Sequence, residues 1–213
     1  MTEITNHELI AHVEQLRTTP RERWSTRDRI LAEAGSLIAA RGYHGASTRD
    51  IAAAVGIRQP SLFNHFASKR EILAALMRLD VSIPTERAKV LASADGSAAE
   101  RLAAYMRWDF DWYARMPFDL RGLPEELVDE PGLERFRADL MAWKRAIERI
   151  VRSGVEHGEF YPVAPSLVVR TMTAISWEIV RTARVGRART AASALSHDAA
   201  DFVLRGLLVD PRR

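Results

Sequence analysis

The stretch Ser47–Arg70, STRDIAAAVGIRQPSLFNHFASKR, decides the fold. Its spacing predicts two short helices joined by a tight turn, with a third helix beginning as the stretch ends. Ser47 stands three residues ahead of Asp50, the pattern of a capping box that satisfies the first free N–H groups of a helix. Ile51 and Val55 then share one face at helical spacing, and Gly56 supplies the stop. The next helix starts near Gln59, with Pro60 in its first turn, where a missing N–H costs nothing. Leu62 and Phe66, four apart, return to the core. That leaves Arg58, Gln59, Ser61, Asn64 and His65 as a polar, exposed surface. A short helix with a polar front and a buried rear is what a helix-turn-helix inserts into the major groove.

Working outward, Thr26–Arg41 carries Ile30, Leu31, Ala34, Leu37 and Ile38 at helical spacing. Gly42 closes that helix, Tyr43 folds back onto the core, and His44 is read as a loop residue. With this helix in front of it, the stretch resembles the N-terminal domain of the TetR family of bacterial transcriptional regulators. The match is carried by Gly56-Ile57-Arg58-Gln59-Pro60-Ser61-Leu62-Phe63-Asn64-His65-Phe66 and Ser68-Lys69-Arg70-Glu71-Ile72-Leu73, preceded by Thr48, Ile51, Ala52 and Ala54-Val55. It is specific over about residues 26–73 and mainly architectural beyond. One position departs from the family pattern: where Phe63 stands, the family usually has a tyrosine whose hydroxyl binds a phosphate.

The chemistry of the individual side chains divides into reading and gripping. Gln59 is suited to hydrogen-bond a base edge, and the Pro60 ring to pack on a thymine methyl. Ser61 suits a base or a phosphate, and Arg58 suits guanine or backbone. Thr48, at the leading end of its helix, offers a hydroxyl and backbone N–H groups to a phosphate. The resemblance implies that Arg49, Phe63, His65 and Lys69 lie against the phosphate backbone, contacts that position a protein without selecting sequence. Taken singly, Ser61 or Asn64 is accounted for by ordinary surface or cap chemistry; the set on one short helix points to DNA.

Charge agrees with that placement. The net charge is +3. Residues 1–70 hold 10 Lys+Arg against 7 Asp+Glu, whereas residues 71–213 hold 21 of each. The excess positive charge therefore sits on the head, where a polyanion binds. Hydrophobic residues make up 47% of 213, which suits a folded chain with a sizeable core. There is no cysteine, so disulfides and thiolate metal sites are excluded. No leader pattern and no run of about 18 apolar residues is present, so a cytoplasmic location without membrane contact is expected. His7, His12, His44, His65, His157 and His197 form no metal-binding spacing. With no Gly-x-Ser-x-Gly elbow, P-loop or dinucleotide fingerprint either, neither an enzyme nor a cofactor is expected.

The remainder reads as an arm and a body. Residues 1–25 form an arm in which Ile4, Leu9, Ile10, Val13 and Leu16 allow a short amphipathic helix; Arg17, Arg21, Arg23, Arg27 and Arg29 follow as a basic cluster. A solvated tail is the expectation, with DNA contact the alternative. From residue 71 to 213 the body carries no strand signal. A helix from Ile72 is expected to kink or break at Pro84. Ser97 caps another, Pro117 and Pro124 punctuate an irregular stretch, and Pro131 sits in the first turn of a helix ending at Gly158. Ser166 to about Val185 forms the next helix, Gly186–Thr190 a basic loop, and Ser196 or a neighbour begins the last. Met106, Trp108, Phe110, Trp112, Tyr113, Met116, Phe118, Met141, Trp143 and Trp177 suit either a helical core or the lining of an apolar effector pocket; the resemblance implies the pocket. Arg107, Asp109 and Asp111 are expected to face solvent, with orientation of a polar ligand end the alternative. Val168, Met172, Ile175, Ile179, Phe202, Val203 and Leu207 line either the chain's own core or, as the resemblance implies, a four-helix dimer interface. The expected fold is all-α: a three-helix helix-turn-helix head at residues 26–70 on a larger helical effector-binding and dimerisation body, about nine helices in all. The expected activity is that of a ligand-responsive regulator, a repressor binding a pseudo-palindromic operator as a homodimer. The alternatives are a DNA-binding activator and a structural helical protein.

Overall fold

The computed structural model describes residues 5–120, 123, 127, 129–182 and 188–209, with side chains in the last helix described from residue 195. Ten α segments follow in order: α1 Asn6–Thr18, α2 Thr26–Gly45, α3 Thr48–Val55, α4 Gln59–Phe63, α5 Lys69–Met77, α6 Ile83–Ala92, α7 Ala98–Ala114, α8 Glu134–Glu156, α9 Pro165–Thr182 and α10 Ala188–Leu207. A π turn at Arg78–Ser82 stands between α5 and α6 in the chain. No strand occurs among those residues, only an isolated antiparallel bridge between Phe160 and Leu208. The all-α expectation holds.

The chain divides into two compact units. The first comprises residues 1–83 and 116–136. Its core gathers Ile30, Ala34 and Ile38 from α2, Ile51 from α3, Leu62 and Phe66 from around α4, and Ile72, Leu73 and Leu76 from α5. The arm is not a solvated tail. Thr5 caps α1 through a reciprocal pair with Glu8, and Val13 and Leu16 are buried. Two polar ties join them: His12 to Asp28 at 2.8 Å, and the Arg78 guanidinium donating to the Asn6 amide oxygen. Burying two aliphatic side chains stabilises the docked arm by about 1.5–3 kcal/mol each, which overrides the fraying expected of a terminus. Ile4 lies outside the described residues. The 116–136 segment meets α2 closely: a Cβ on Gly35 would stand 2.5 Å from the Asp119 carbonyl oxygen. Phe118 lies edge-on to Trp24, ring centroids 5.9 Å apart.

The second unit comprises residues 84–115 and 137–213. Its core combines Leu102, Met106 and Phe110 of α7, Ile147 and Ile150 of α8, Val168, Met172 and Ile179 of α9, and Val203 and Leu207 of α10. Glu159 ties the start of α7 by accepting from the backbone N–H groups of Ala98 and Ala99 at 3.0 and 2.9 Å.

Three expectations about the body are corrected; a fourth, irregularity at Pro84, takes the form of the π turn that precedes this proline. Just ahead of it the Ile83 N–H donates to the Arg78 carbonyl five residues back, so a wider turn absorbs proline's missing donor. Helix α8 begins at Glu134 rather than at Pro131; Gly132, at a left-handed φ of 86°, lies outside the right-handed helical region. Helix α10 begins at Ala188, well before Ser196; its first residues include Ala188, Ala191, Ala192 and Ala194, which favour helix. Asp109 does not face solvent: it is 2% exposed. Pro124, Val185, Gly186 and Arg187 lie outside the described residues.

Candidate nucleic-acid interface

Helices α3 and α4 are built as their local sequence requires. Ser47 caps α3: its hydroxyl accepts from the Asp50 N–H at 3.1 Å, and the Asp50 carboxylate accepts from the Ser47 N–H at 3.2 Å and from its hydroxyl at 2.6 Å. These bonds from Ser47, aided by Arg41 and Arg49, hold the Asp50 carboxyl below its usual range. Gly56 ends α3 in the left-handed region, φ 77°, and the Ile57 N–H reaches back to the Ala52 carbonyl. Helix α4 has Pro60 in its first turn and buries Leu62.

Most of the residues expected at DNA lie on the outward face. Arg49, Arg58, Gln59, Pro60, Ser61, Phe63 and Asn64 are exposed, and Thr48, His65 and Lys69 are partly so. Phe63 is 44% exposed, a large apolar ring left in solvent beside polar neighbours. Gln59 is tied back to α3, its amide donating to the Thr48 hydroxyl at 2.9 Å. This bond joins the two residues expected at base edge and phosphate and restrains the Gln59 side chain.

Two cations are held in ways the sequence reading did not reach. The Lys69 ammonium donates to the Tyr43 and Ala46 carbonyls at 2.8 and 3.0 Å and stands 4.2 Å over the Tyr43 ring. It ties off the end of α2. Arg27 donates to the His65 carbonyl and lies 3.9 Å over the Phe66 ring. Burial lowers the Arg27 pKa, opposed by the charges of Glu71 and Asp28. No local pattern announces either arrangement, since the partners stand 23 to 38 residues apart in sequence. His44, read as a loop residue, contacts Glu130 at 3.0 Å.

The residues expected at the effector pocket fall into two groups. Met116 and Phe118 are buried in the first unit. In the second, Met106, Phe110 and Trp112 are buried, Trp108 stacks on Trp112 at 5.5 Å, and Tyr113, Trp143 and Trp177 are half-buried; Met141 is exposed. Among them runs a polar chain absent from the sequence reading. The Trp143 indole N–H donates to the Tyr105 hydroxyl at 2.6 Å, the Tyr105 hydroxyl to Asp109 at 3.0 Å, and the Ser176 hydroxyl to the other Asp109 oxygen at 3.2 Å. Burial pushes the Asp109 carboxyl up to about 7, even though both hydroxyl donors favour its charged form. An open groove of about 420 Å³ lies between α7 and α10 along Ala99, Ala103, Ala104, Leu204 and Leu208; none of the expected pocket residues lines it. Of the residues expected at a dimer interface, Val168, Met172, Ile179, Val203 and Leu207 belong to the chain's own core and Ile175 packs against it. Phe202 alone of that set points outward, 76% exposed.

Comparison with known proteins follows this geometry. Residues 30–76 match the family model described as bacterial regulatory proteins, tetR family. The HTH-type transcriptional repressor KstR2 of Mycobacterium tuberculosis is 27% identical over 171 residues, covering 78% of this chain and 86% of that protein. The crystal structure of Mycobacterium smegmatis AmtR matches with a TM-score of 0.74 at 29% identity, over 90% of this chain and 92% of that one. The structure of the ketosteroid transcriptional regulator KstR2 of M. tuberculosis matches with a TM-score of 0.73 at 26% identity, over 87% and 96%. The matched segment begins within α2 and ends within α5, spanning the capped helix pair; over this segment the chain is similar to the TetR family of bacterial transcriptional regulators.

Proposed function

We propose that the chain is a ligand-responsive transcriptional repressor that binds a pseudo-palindromic duplex operator as a homodimer and is released by a small apolar effector. The observation that carries this reading is the outward face of α3 and α4, polar and basic in front while Ile51, Leu62 and Phe66 are buried behind. Residues 26–70 bind the DNA in this reading, and residues from 71 onward carry effector and partner. Gln59, held by Thr48, reads a base edge, and Pro60 packs on a thymine methyl. Arg49, Arg58 and Ser61 contact phosphates or neighbouring bases and fix the register. Two such heads enter successive major grooves about 34–36 Å apart. The relative KstR2, described as a repressor, supports the sign of the regulation.

The dimer contact runs along the outward sides of α9 and α10. Leu167 and Ala174 on α9, and Leu195 and Phe202 on α10, are exposed and stand seven residues apart on each helix. Apolar residues repeating every two turns make the seam of a helical bundle. The effector binds the aromatic group of the second unit, which includes half-buried Trp177 and half-buried Trp143, the latter a donor in the polar chain ending at Asp109. Coupling of about 1–3 kcal/mol between effector and operator is enough to release the DNA.

Selection of bound duplexes from a random pool tests the reading. A twofold-symmetric sequence supports a dimeric regulator, and failure to enrich any sequence ends the DNA-binding claim. Adding candidate apolar ligands to a gel-shift with the selected duplex then tests release. A complex that no ligand or growth condition ever loosens favours a regulator without ligand control.

A further inference from the structure

The recognition helix α4 spans only five residues, Gln59–Phe63. Its own hydrogen bonds therefore do little to fix its orientation, because so short a helix is not stable by itself. Its front is exposed, so its aim depends on what holds its ends. At the leading end stand Pro60 and the Gln59–Thr48 bond. At the trailing end the N–H groups of His65 and Phe66 both return to the Leu62 carbonyl, and the chain then turns toward α5.

Arg27, in the first turn of α2, reaches that trailing end. Its guanidinium donates to the His65 carbonyl and covers the Phe66 ring at 3.9 Å, while Phe66 is itself buried in the core. Glu71, one of the acids whose charge acts on Arg27, accepts from the Ala67 N–H at 2.8 Å in the same turn. A planar guanidinium can stack on a ring and donate in its own plane at once, which an ammonium cannot. We propose that Arg27 is a positioning residue for operator recognition: it sets the aim of α4 from behind by holding the His65–Phe66 turn, and it is not itself a phosphate ligand. This inference rests on the DNA-binding reading above and assigns a different task to one member of the basic cluster at residues 17–29.

Salt dependence separates the two tasks. A lost phosphate contact removes about one unit from the slope of log affinity against log salt, whereas a mis-aimed helix loses affinity without that change. The test uses the full chain and the duplex recovered by selection, with binding measured between about 50 and 200 mM salt. The variants are Arg27→Ala, Arg27→Lys and, as the reference for a phosphate ligand, Arg49→Ala. Arg27→Ala is expected to bind about tenfold more weakly at every salt concentration, along a line parallel to the native protein. Arg27→Lys keeps the charge but not the stacked fork and is expected to lose nearly as much. Arg49→Ala is expected to flatten the slope by about one. The inference is overturned if Arg27→Ala flattens the slope as Arg49→Ala does, or if Arg27→Lys binds as the native protein does. It is equally overturned if either variant only melts earlier and binds normally below its melting range. Should Arg27→Ala fail to fold, Arg27→Lys carries the same test alone. A native protein that binds no duplex sinks the DNA-binding reading itself; a native protein that binds while the Arg27 variants behave as phosphate-ligand or silent variants sinks only this inference.

Discussion

The two units treat a carboxylate in opposite ways. In the first, Asp50 sits at the surface of the α3 capping box, where the bonds from Ser47 hold it below its usual range. In the second, Asp109 lies inside the helical core with Tyr105 and Ser176 as donors, and burial pushes it up to about 7. Among the described residues no cation pairs with Asp109. The first carboxylate closes a short-range motif that keeps a small head rigid. The second leaves a titratable group inside a long-helix core, where charging it works against folding. The lesson is that the head gains definition from caps and ties at several of its helix ends, while the body carries a polar weak point among its aromatic rings.

The comparison breaks most visibly where the head is emptied. Leu62→Ala removes a fully buried side chain from behind α4 and is expected to cost about 2–5 kcal/mol, read by thermal or chemical denaturation. If the head tolerates it at no cost, its core is looser than its caps imply.

Next comes Asp109. Its folded-state pKa lies above the unfolded value, so the folded form holds its proton as pH rises from about 4 to about 7 while the unfolded form releases it. Stability from this group is therefore highest in acid, falls through that window and levels off above it. Asp109→Asn is expected to remove this fall and to leave the second unit more stable than native at pH 8. A pH–stability profile unchanged by the substitution denies Asp109 this role.

Gln59→Ala sharpens the division between reading and gripping. It is expected to relax preference at one base position of the selected site, worth about 1–3 kcal/mol, with the salt slope intact. Uniform weakening across a library of sites instead makes Gln59 a gripping residue. Phe63→Tyr gives the smallest effect. Restoring a phenolic hydroxyl on an exposed ring beside the proposed phosphates is expected to tighten binding by about 0.5–1.5 kcal/mol, seen as a lower dissociation constant at fixed salt. No gain means the ring at Phe63 stands away from the backbone.

What could be read in advance follows the range of the interactions. Ser47 with Asp50, the stop at Gly56 and Pro60 in a first turn act within four residues, and the structure has all three where the spacing places them. The all-helical body and the Ser97 cap were legible for the same reason. The docking of α1 escaped notice because Val13 and Leu16 read as an amphipathic stretch whose partner face lies elsewhere in the chain. The ties of Lys69 and Arg27 to backbone carbonyls were not legible because their partners stand 23 to 38 residues away in sequence. Asp109 was misread because alternation with Arg107 and Asp111 suggests a wet face, yet α7 is covered on more than one side. Helical periodicity also does not separate the body's own core from its outward surface; burial places Val168, Met172 and Ile179 in the former and leaves Phe202 outside.

The account turns on the front of α3 and α4 as the surface that grips duplex DNA. Its most direct test is a surface variant carrying Arg49→Ala, Arg58→Ala and Gln59→Ala together, measured for binding to the selected duplex and for thermal unfolding side by side. All three side chains are exposed, so the melting temperature is expected to stay within a few degrees of native while binding falls to the level of unrelated DNA. A variant that melts as the native protein does and still binds the selected duplex with native affinity would contradict it.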